Sequence, residues 1–428
     1  MIDSQARPKS YLRLIVLVAL LGFVSAVVTF VFIVLVNQGI DLIWEQAAPT
    51  LGLDPRLFTL LACSLGGLLV GLLVKLFGDH NAIFAELMQE FGRTGRFDYQ
   101  HAPGIVITAL VSLISGASLG PEAPLADACG GIGTWASDRL KLDDKETRTM
   151  GYGGLSGMLA AFITNPFGGA LLSLESAQGG MTGKTIYFWG LFPSLLASAV
   201  ATVVFVALTG GFFDTLYSFP HYIPRLIDLL RAVPFSLVGG LAGALFTLLF
   251  KWLRKLMQPL KGRLVLRGLI GGLGMGLIGA LLPLTLFSGE AETVELIKQA
   301  SEIGFVMLIV LAAGKLLATS LLLATGWKGG YIFPIMFAGV ALGMAGHLLF
   351  PDTPIAVTVA ATLAGALVAA LRAPLFAALF TLVLVQAETA PVVAVAILVS
   401  ALVAAFLALR EAQRAGTQAQ ADLKNADA

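Results

Sequence analysis

The chain has 428 residues, of which 57% are hydrophobic and 12% are charged, with 27 Lys and Arg against 26 Asp and Glu. Soluble domains carry about 25% charged residues, so this composition excludes a soluble globule, and the balanced charge excludes a basic nucleic-acid binder. Its two cysteines, Cys63 and Cys129, lie in apolar runs and predict no disulfide framework. No metal, phosphate-loop or haem motif is present, so no cofactor is predicted.

Apolar stretches of membrane-spanning length recur along the whole chain. A helix needs about 20 apolar residues to cross the hydrocarbon core of a bilayer. The sequence therefore predicts an all-α polytopic membrane protein with ten or more embedded helices. The runs cover roughly 14–36, 57–77, 104–119, 149–174, 186–209, 233–250, 268–289, 303–324, 331–350, 353–371 and 389–409.

Charged residues between these runs predict the orientation. Arg7 and Lys9 precede a first run too long for a cleavable signal peptide, which predicts a retained helix with a cytoplasmic N-terminus. Arg410 and Arg414 place the C-terminus on the same side. The segment 251–267 carries six basic residues and no acidic one, whereas 290–302 carries four acidic residues and only Lys298, so the first should lie inside and the second outside. The basic residues are Lys251, Arg254, Lys255, Lys261, Arg263 and Arg267; the acidic ones are Glu290, Glu292, Glu295 and Glu302. The short polar tail and the lack of a signal or organellar presequence suit a bacterial plasma membrane.

Glycine and proline interrupt several runs, in pairs that echo each other. The breaks fall at Gly116–Pro124, Asn165–Gly169, Gly326–Pro334 and Arg372–Pro374. The second break follows the first by about 40 residues, and the fourth follows the third by a similar distance. Such pairing is typical of transporters with an internal repeat and helices that stop at mid-membrane.

A helix that begins inside a membrane is a natural anion site. Its first amides are unpaired and carry about +0.5 charge, and leaving them unsatisfied in hydrocarbon costs several kcal/mol each. Gly329 and Gly330 allow close backbone approach, and Pro334 suits a first helical turn. Two such ends facing each other would bind an anion without a full lysine or arginine charge. Helix packing is the other explanation for any single glycine.

Glu122 is the strongest candidate functional residue. It lies between Pro121 and Pro124 at a predicted helix start, and no charged residue precedes it since Asp98 if His101 is neutral. An ionisable residue inside a membrane predicts function. Ionised, this carboxylate could occupy an anion site; protonated, it could leave. The alternative is an acid that only complements the helix dipole.

For the other ionisable residues within apolar stretches, the sequence predicts a role less specifically. Asp127, five residues beyond Glu122, could relay protons or bond to Ser or Thr. Glu175 is expected to accept hydrogen bonds from backbone amides. Lys315 and Arg372 are isolated cations that snorkelling, a structural pair or an anion pathway would each explain.

Four of these segments together resemble the CLC family of chloride channels and proton-coupled chloride antiporters, in matching order and spacing. Gly116-Ala-Ser-Leu-Gly-Pro-Glu-Ala-Pro124 is similar to the family's G-[KR]-E-G-P segment. Gly329-Gly-Tyr-Ile-Phe-Pro334 is similar to G-G-x-F-x-P. Asn165-Pro-Phe-Gly-Gly169 and Arg372-Ala-Pro374 are similar to its two N/R-x-P helix starts.

The resemblance implies a homodimer whose subunits each form an inverted repeat of about eighteen helices around one anion path. It implies that Glu122 is the gating glutamate and that the amides of Tyr331 and Ile332 line the anion site. The expected domain is 1–410, with halves of roughly 55–205 and 233–410, followed by a short cytoplasmic tail, 411–428. The cytoplasmic nucleotide-binding modules of many relatives are missing.

Several positions depart from the family pattern. In the family pattern a basic residue precedes the gating glutamate and a glycine follows it; in this chain these positions are Pro121 and Ala123. The family's serine ligand aligns with Ala82, beside Asn81, so an amide could replace the hydroxyl. The internal proton-transfer glutamate aligns with Ser176, next to Glu175, and no tyrosine follows residue 390.

The predicted function is transport of a small anion, with chloride foremost, either as a channel or in exchange for protons. Asp127, Glu175 and Ser176 are the candidates for a proton relay. One alternative is a transporter of another anion or small solute in the same fold, or of a cation. A remote alternative is an intramembrane serine protease, because Gly154-Leu-Ser-Gly157 matches a G-x-S-G nucleophile motif with His347 as its base.

Overall fold

The computed structural model describes residues 8–80, 83–176, 185–211 and 217–406. These residues form an all-α fold, as predicted, with one isolated β-bridge and no strands. The predicted tail 411–428 lies outside them. The helices are α1 (Pro8–Ile40), α2 (Ala48–Thr50), α3 (Pro55–Phe77), α4 (Phe84–Thr94), α5 (Ala102–Ile114), α6 (Glu122–Leu140), α7 (Asp144–Ile163), α8 (Pro166–Ser176), α9 (Phe192–Thr209), α10 (Leu226–Met257), α11 (Leu264–Leu281), α12 (Glu290–Ile303), α13 (Phe305–Ala324), α14 (Ile332–Leu349), α15 (Ile355–Leu371), α16 (Pro374–Leu384) and α17 (390–406).

Eight helical stretches of the described chain are long and apolar enough to cross a membrane. This supports a multi-pass membrane protein, while the expected number of about eighteen helices is not confirmed. The predicted runs 104–119 and 353–371 form the shorter helices α5 and α15, and 149–174 is divided between α7 and α8. The eight stretches are Ser10–Thr50, Pro55–Phe77, Ile186–Thr209, Leu226–Leu260, Leu264–Leu281, Phe305–Ala324, Ile332–Leu349 and Ala387–Phe406.

All four predicted breaks separate one helix from the next. They fall between α5 and α6, α7 and α8, α13 and α14, and α15 and α16. Thr164 and Arg372 end α7 and α15 in the left-handed region, at φ values of 47° and 56°. Pro166 and Pro374 then begin the following helices, where a missing amide costs nothing. Arg372 therefore lies at an exposed helix end.

Glycines let several helices pack with their backbones in contact. A methyl group on Gly67 of α3 would stand 2.5 Å from the carbonyl oxygen of Gly268 on α11, and one on Gly272 would stand 2.3 Å from that of Cys63. No side chain fits at these distances, so glycine packing explains much of the glycine content.

Lys315 is buried and does not snorkel. Its Nζ donates to three successive carbonyl oxygens, those of Thr285 at 3.1 Å, Leu286 at 2.9 Å and Phe287 at 2.8 Å. The ring of Phe337 lies 5.0 Å from the ammonium group. The lysine thus holds the loop before α12 against α13, which is a structural role.

The geometry does not favour the serine protease. Ser156 is fully buried in α7. A methyl group on Gly154, two residues before Ser156, would stand 2.2 Å from the carbonyl oxygen of Cys129, so close helix contact accounts for the small residues. Nδ1 of His347 lies 2.8 Å from the carbonyl oxygen of Thr353, at the far end of α14.

Candidate anion site

The loops that precede α6 and α14 meet in the core of the protein. The amide of Gly120 donates to the carbonyl oxygen of Gly330 at 2.9 Å, and the Gly330 amide donates back to Gly120. Because Glu122 and Ile332 begin the two helices, this bridge brings two helix N-termini together. Each N-terminus carries about +0.5 charge, so the two backbones make this region electropositive.

Glu122 joins these two helix ends. Only 1% of this first residue of α6 is exposed. Its Oε1 accepts a hydrogen bond of 3.1 Å from the amide of Phe333, in the first turn of α14. Its Oε2 is buried and has no hydrogen-bond partner among the described residues. The carboxylate therefore takes the place that a small anion would take at the start of α14.

Two glycines make room for this carboxylate. A methyl group on Gly330 would stand 1.8 Å from Oε2 of Glu122, and one on Gly120 would stand 2.1 Å from the same oxygen. Both distances are far inside van der Waals contact. The paired glycines are therefore required for the glutamate to lie here, as well as for the approach of the two backbones.

The amide that binds the carboxylate belongs to Phe333, which the sequence analysis did not include. Tyr331 is the residue before α14, and its ring packs 5.1 Å from that of Phe246. Ile332 is the first helical residue, and its amide faces the carboxylate of Glu122 too. Pro334 has no amide, so Phe333 is the last donor before it. Pro334 was therefore the sequence feature that could have identified Phe333 as the donor. The anion-binding roles of Tyr331 and Ile332 remain predictions.

The predicted ligands Asn81 and Ala82 lie outside the described residues. On one side of them Asp79 accepts a hydrogen bond of 2.6 Å from Arg267. On the other side Ile83 precedes α4. Their role in anion binding remains a prediction.

Asp127 is buried in α6, on the helix that begins with Glu122. Only 3% of the residue is exposed, and its Oδ2 has no hydrogen-bond partner among the described residues. The sequence left open that Asp127 bonds to Ser or Thr, but no such bond reaches Oδ2 among the described residues. Two acids with an unpaired buried oxygen lie five residues apart on one helix.

Glu175 binds backbone amides, as its sequence context predicted. Its Oε1 accepts from the amide of Leu375 and its Oε2 from that of Phe376, each at 2.8 Å. Both amides belong to the first turn of α16, so the end of α8 caps the start of α16. Ser176 is the last residue of α8, and its role as a relay remains a prediction.

Replacing Glu175 by alanine should destabilise the protein by about 1–2 kcal/mol, because two amides of α16 lose their acceptor. The melting temperature in detergent measures the effect. Replacement by glutamine, which keeps one carbonyl acceptor, should cost less. If the alanine and glutamine variants have the same melting temperature as the wild type, the cap does not stabilise the fold.

A small cavity lies beside the Glu122 loop. It has a volume of about 70 Å³, and its polar lining includes Asn37, Ser288 and Glu290, with Pro121 at one wall. Glu290 begins α12, which is not among the membrane-crossing stretches. Burial and the nearby charges of Glu292 and Glu122 raise the pKa of Glu290 to about 7.

This raised pKa should make the protein less stable as the pH rises. Between the ordinary value of 4.5 and about 7, the folded protein retains a proton that the unfolded chain has released. Stability therefore falls with pH across that window. Glu290→Gln should flatten the fall in melting temperature between pH 5 and pH 8, whereas Glu302→Gln, exposed on the same helix, should not. An unchanged slope in the Glu290 variant would refute the assignment.

The model of the family described as "Voltage gated chloride channel" matches residues 66–405. Curated relatives named "Putative ion-transport protein YfeO", from Escherichia coli strain 55989 and from Shigella boydii serotype 18, are each 27% identical over 363 residues. The match covers 82% of this chain and 83% of each relative.

Solved structures share the fold. A slow cyanobacterial Cl⁻/H⁺ antiporter superimposes with a TM-score of 0.81 at 22% identity, covering 94% of this chain and 96% of that one. A CLC-type fluoride/proton antiporter gives a TM-score of 0.76 at 18% identity, covering 92% and 96%. A eukaryotic CLC transporter gives 0.73 at 17% identity, covering 92% and 71%.

Proposed function

The chain belongs to the voltage-gated chloride channel family, and on that premise we propose that it carries small anions, chloride foremost, along a path gated by Glu122. One observation carries this proposal: the buried Glu122 carboxylate accepts from the Phe333 amide at the start of α14. A helix N-terminus that holds one anion can hold another. The gate therefore competes with the transported anion for the same amides.

Protonation would open this gate. A proton added to Oε2, the oxygen without a partner, neutralises the carboxyl group. The bond from Phe333 to Oε1 then loses its charge assistance and about half of its strength. A chloride ion can displace the neutral group from the amides of Ile332 and Phe333, and the Tyr331 amide adjoins them.

Proton coupling is the transport mode that we favour, because Glu122 and Asp127 each have an unpaired buried oxygen on one helix. Asp127 is the better candidate relay, since both oxygens of Glu175 are bound to amides. Ser176 completes the proposed proton path, whereas Asn81 and Ala82 are proposed as anion ligands. Two structural neighbours are proton antiporters, one for chloride and one for fluoride.

We extend the proposal to assembly and placement. The family resemblance favours a homodimer, with halves of about 55–205 and 233–410 in each subunit. The basic segment 251–267 and the acidic segment 290–302 favour cytoplasmic termini in a bacterial plasma membrane.

Ion flux from proteoliposomes tests the function. Vesicles loaded with chloride are diluted into low-chloride buffer while chloride and external pH are recorded together. Chloride release coupled to proton uptake would support an antiporter, and chloride release without a pH change would indicate a channel. Vesicles loaded with fluoride, nitrate or bicarbonate identify another anion. If no anion moves while potassium does, the anion proposal is wrong.

A further inference from the structure

A second and larger cavity lies apart from Glu122, where the ends of several helices meet. Its volume is about 420 Å³, within the range of roughly 300–1,000 Å³ typical of small-molecule sites. Asp79, His80 and Ile83, the end of α10, the start of α11 and the loop before α14 form its walls. Its lining residues are Asp79, His80, Ile83, Arg254, Met257, Gln258, Lys261, Arg267, Leu323, Ala324, Gly326, Trp327 and Lys328.

Four cationic side chains line this cavity, and two of them are buried. The side chains of Arg267 and Lys328 are 10% and 6% exposed. Asp79 pairs with both, at 2.6 Å from Arg267 and 3.6 Å from Lys328. Lys328 also donates to the carbonyl oxygen of His80. One carboxylate therefore faces two buried cations.

The outer part of the cavity adds to the positive charge. Arg254 lies there, paired with Glu86, which is not a lining residue. Lys261 is exposed at the rim. The four cations face the two carboxylates of Asp79 and Glu86, so the cluster carries two uncompensated positive charges with His80 neutral. One of these charges belongs to the buried group of Arg267, Lys328 and Asp79, and a buried charge is costly unless an ion of opposite sign completes it.

The shape and chemistry of this cluster favour a phosphate group. A single halide ion would fill only a small part of the cavity. Two arginine side chains on different helices present planar groups that bind oxyanions through paired hydrogen bonds. Two excess positive charges match the charge of a phosphate dianion.

We propose that this cavity binds a phosphate-bearing anion with two or more negative charges, of the size of pyrophosphate or a nucleotide phosphate. Lys328 lies two residues before Gly330, whose backbone pairs with Gly120 beside the Glu122 carboxylate. An occupant that bonds to Lys328 would hold this loop in place.

Pyrophosphate binding to the purified full-length protein tests the proposal. Titration calorimetry and thermal shift are run in detergent without phosphate, with sodium gluconate matching the ionic strength. Arg254→Gln and Lys261→Gln remove charges at exposed positions, so the variants should fold. Each is expected to weaken pyrophosphate binding about tenfold. Arg263→Gln, an exposed residue outside the cavity, serves as the matched control and should bind like the wild type.

Nanodiscs distinguish a free phosphate from a lipid headgroup. If the wild type binds pyrophosphate in nanodiscs of phosphatidylcholine alone, a free anion is the ligand. If pyrophosphate does not bind, but phosphatidylglycerol stabilises the wild type and not the Lys261 variant, the site takes a singly charged lipid phosphate and the proposed dianion is wrong. The proposal is overturned if neither phosphate binds, or if the Arg254 and Lys261 variants bind as the wild type does. Binding is measured without ion flux, so it can succeed or fail independently of the proposed transport function.

Discussion

Glu122→Gln is expected to abolish proton movement while anion flux continues and loses its dependence on pH. Glutamine keeps the shape and one carbonyl oxygen for the Phe333 amide, but it carries neither a negative charge nor an exchangeable carboxyl proton. A group that transfers protons contributes roughly 10²–10⁴-fold to rate, so proton uptake should fall by about 10²-fold or more. Simultaneous chloride and pH recordings from proteoliposomes at pH 5 and pH 8 measure both changes.

Glu302→Gln is the matched control for this experiment, because it removes an exposed acid far along α12. Its coupling should equal that of the wild type. Persistent proton uptake in Glu122→Gln would show that another acid carries the proton, and Asp127→Asn would then be the next variant. A transport rate that still depends on pH would show that Glu122 is not the gate.

The second large effect is expected from Gly330→Ala. A methyl group at this position would stand 1.8 Å from Oε2 of Glu122, so the carboxylate must leave the Phe333 amide or the two loops must separate. Overpacking of a buried site costs about 1–3 kcal/mol. The variant should melt at a lower temperature and conduct anions at pH 8, where the wild-type gate is closed.

A double-mutant cycle separates loss of the gate from general damage. In a Glu122→Ala background the clashing carboxylate is gone, so adding Gly330→Ala should change stability by much less than it does in the wild type. Gly262→Ala provides the control for the substitution itself, since nothing lies within 4 Å of a methyl group there. Equal costs of Gly330→Ala in both backgrounds would mean that the methyl group collides with something other than Glu122.

Local patterns in the sequence were sufficient to predict the helix breaks and the key acid. Asn165 and Pro166, like Arg372 to Pro374, end one helix and begin another because proline removes an amide and restricts the residue before it. Glu122 was identified because an acid within an apolar stretch is costly without a function. These inferences depend only on near neighbours in the chain.

Local sequence patterns could not predict the contacts between segments that are distant in the chain. The acceptors of Lys315 lie about 30 residues away, in a loop with no charge pattern to mark them. The Phe333 amide could not be selected over those of Tyr331 and Ile332 without the position of Glu122, which is 211 residues earlier. For Asp127, the sequence left open which oxygens find partners.

The sequence by itself therefore determined that this is an all-α membrane protein of the CLC type, with helices broken at four places and one acid at a helix start. Spacing and composition carry that information because helices and breaks form locally. The tertiary structure alone decided that Gly120 and Gly330 pair, that Glu122 binds Phe333, and that Arg254, Lys261, Arg267 and Lys328 surround one cavity. Those arrangements depend on how helices that are far apart in the chain pack against each other. Close contacts between small residues determine that packing.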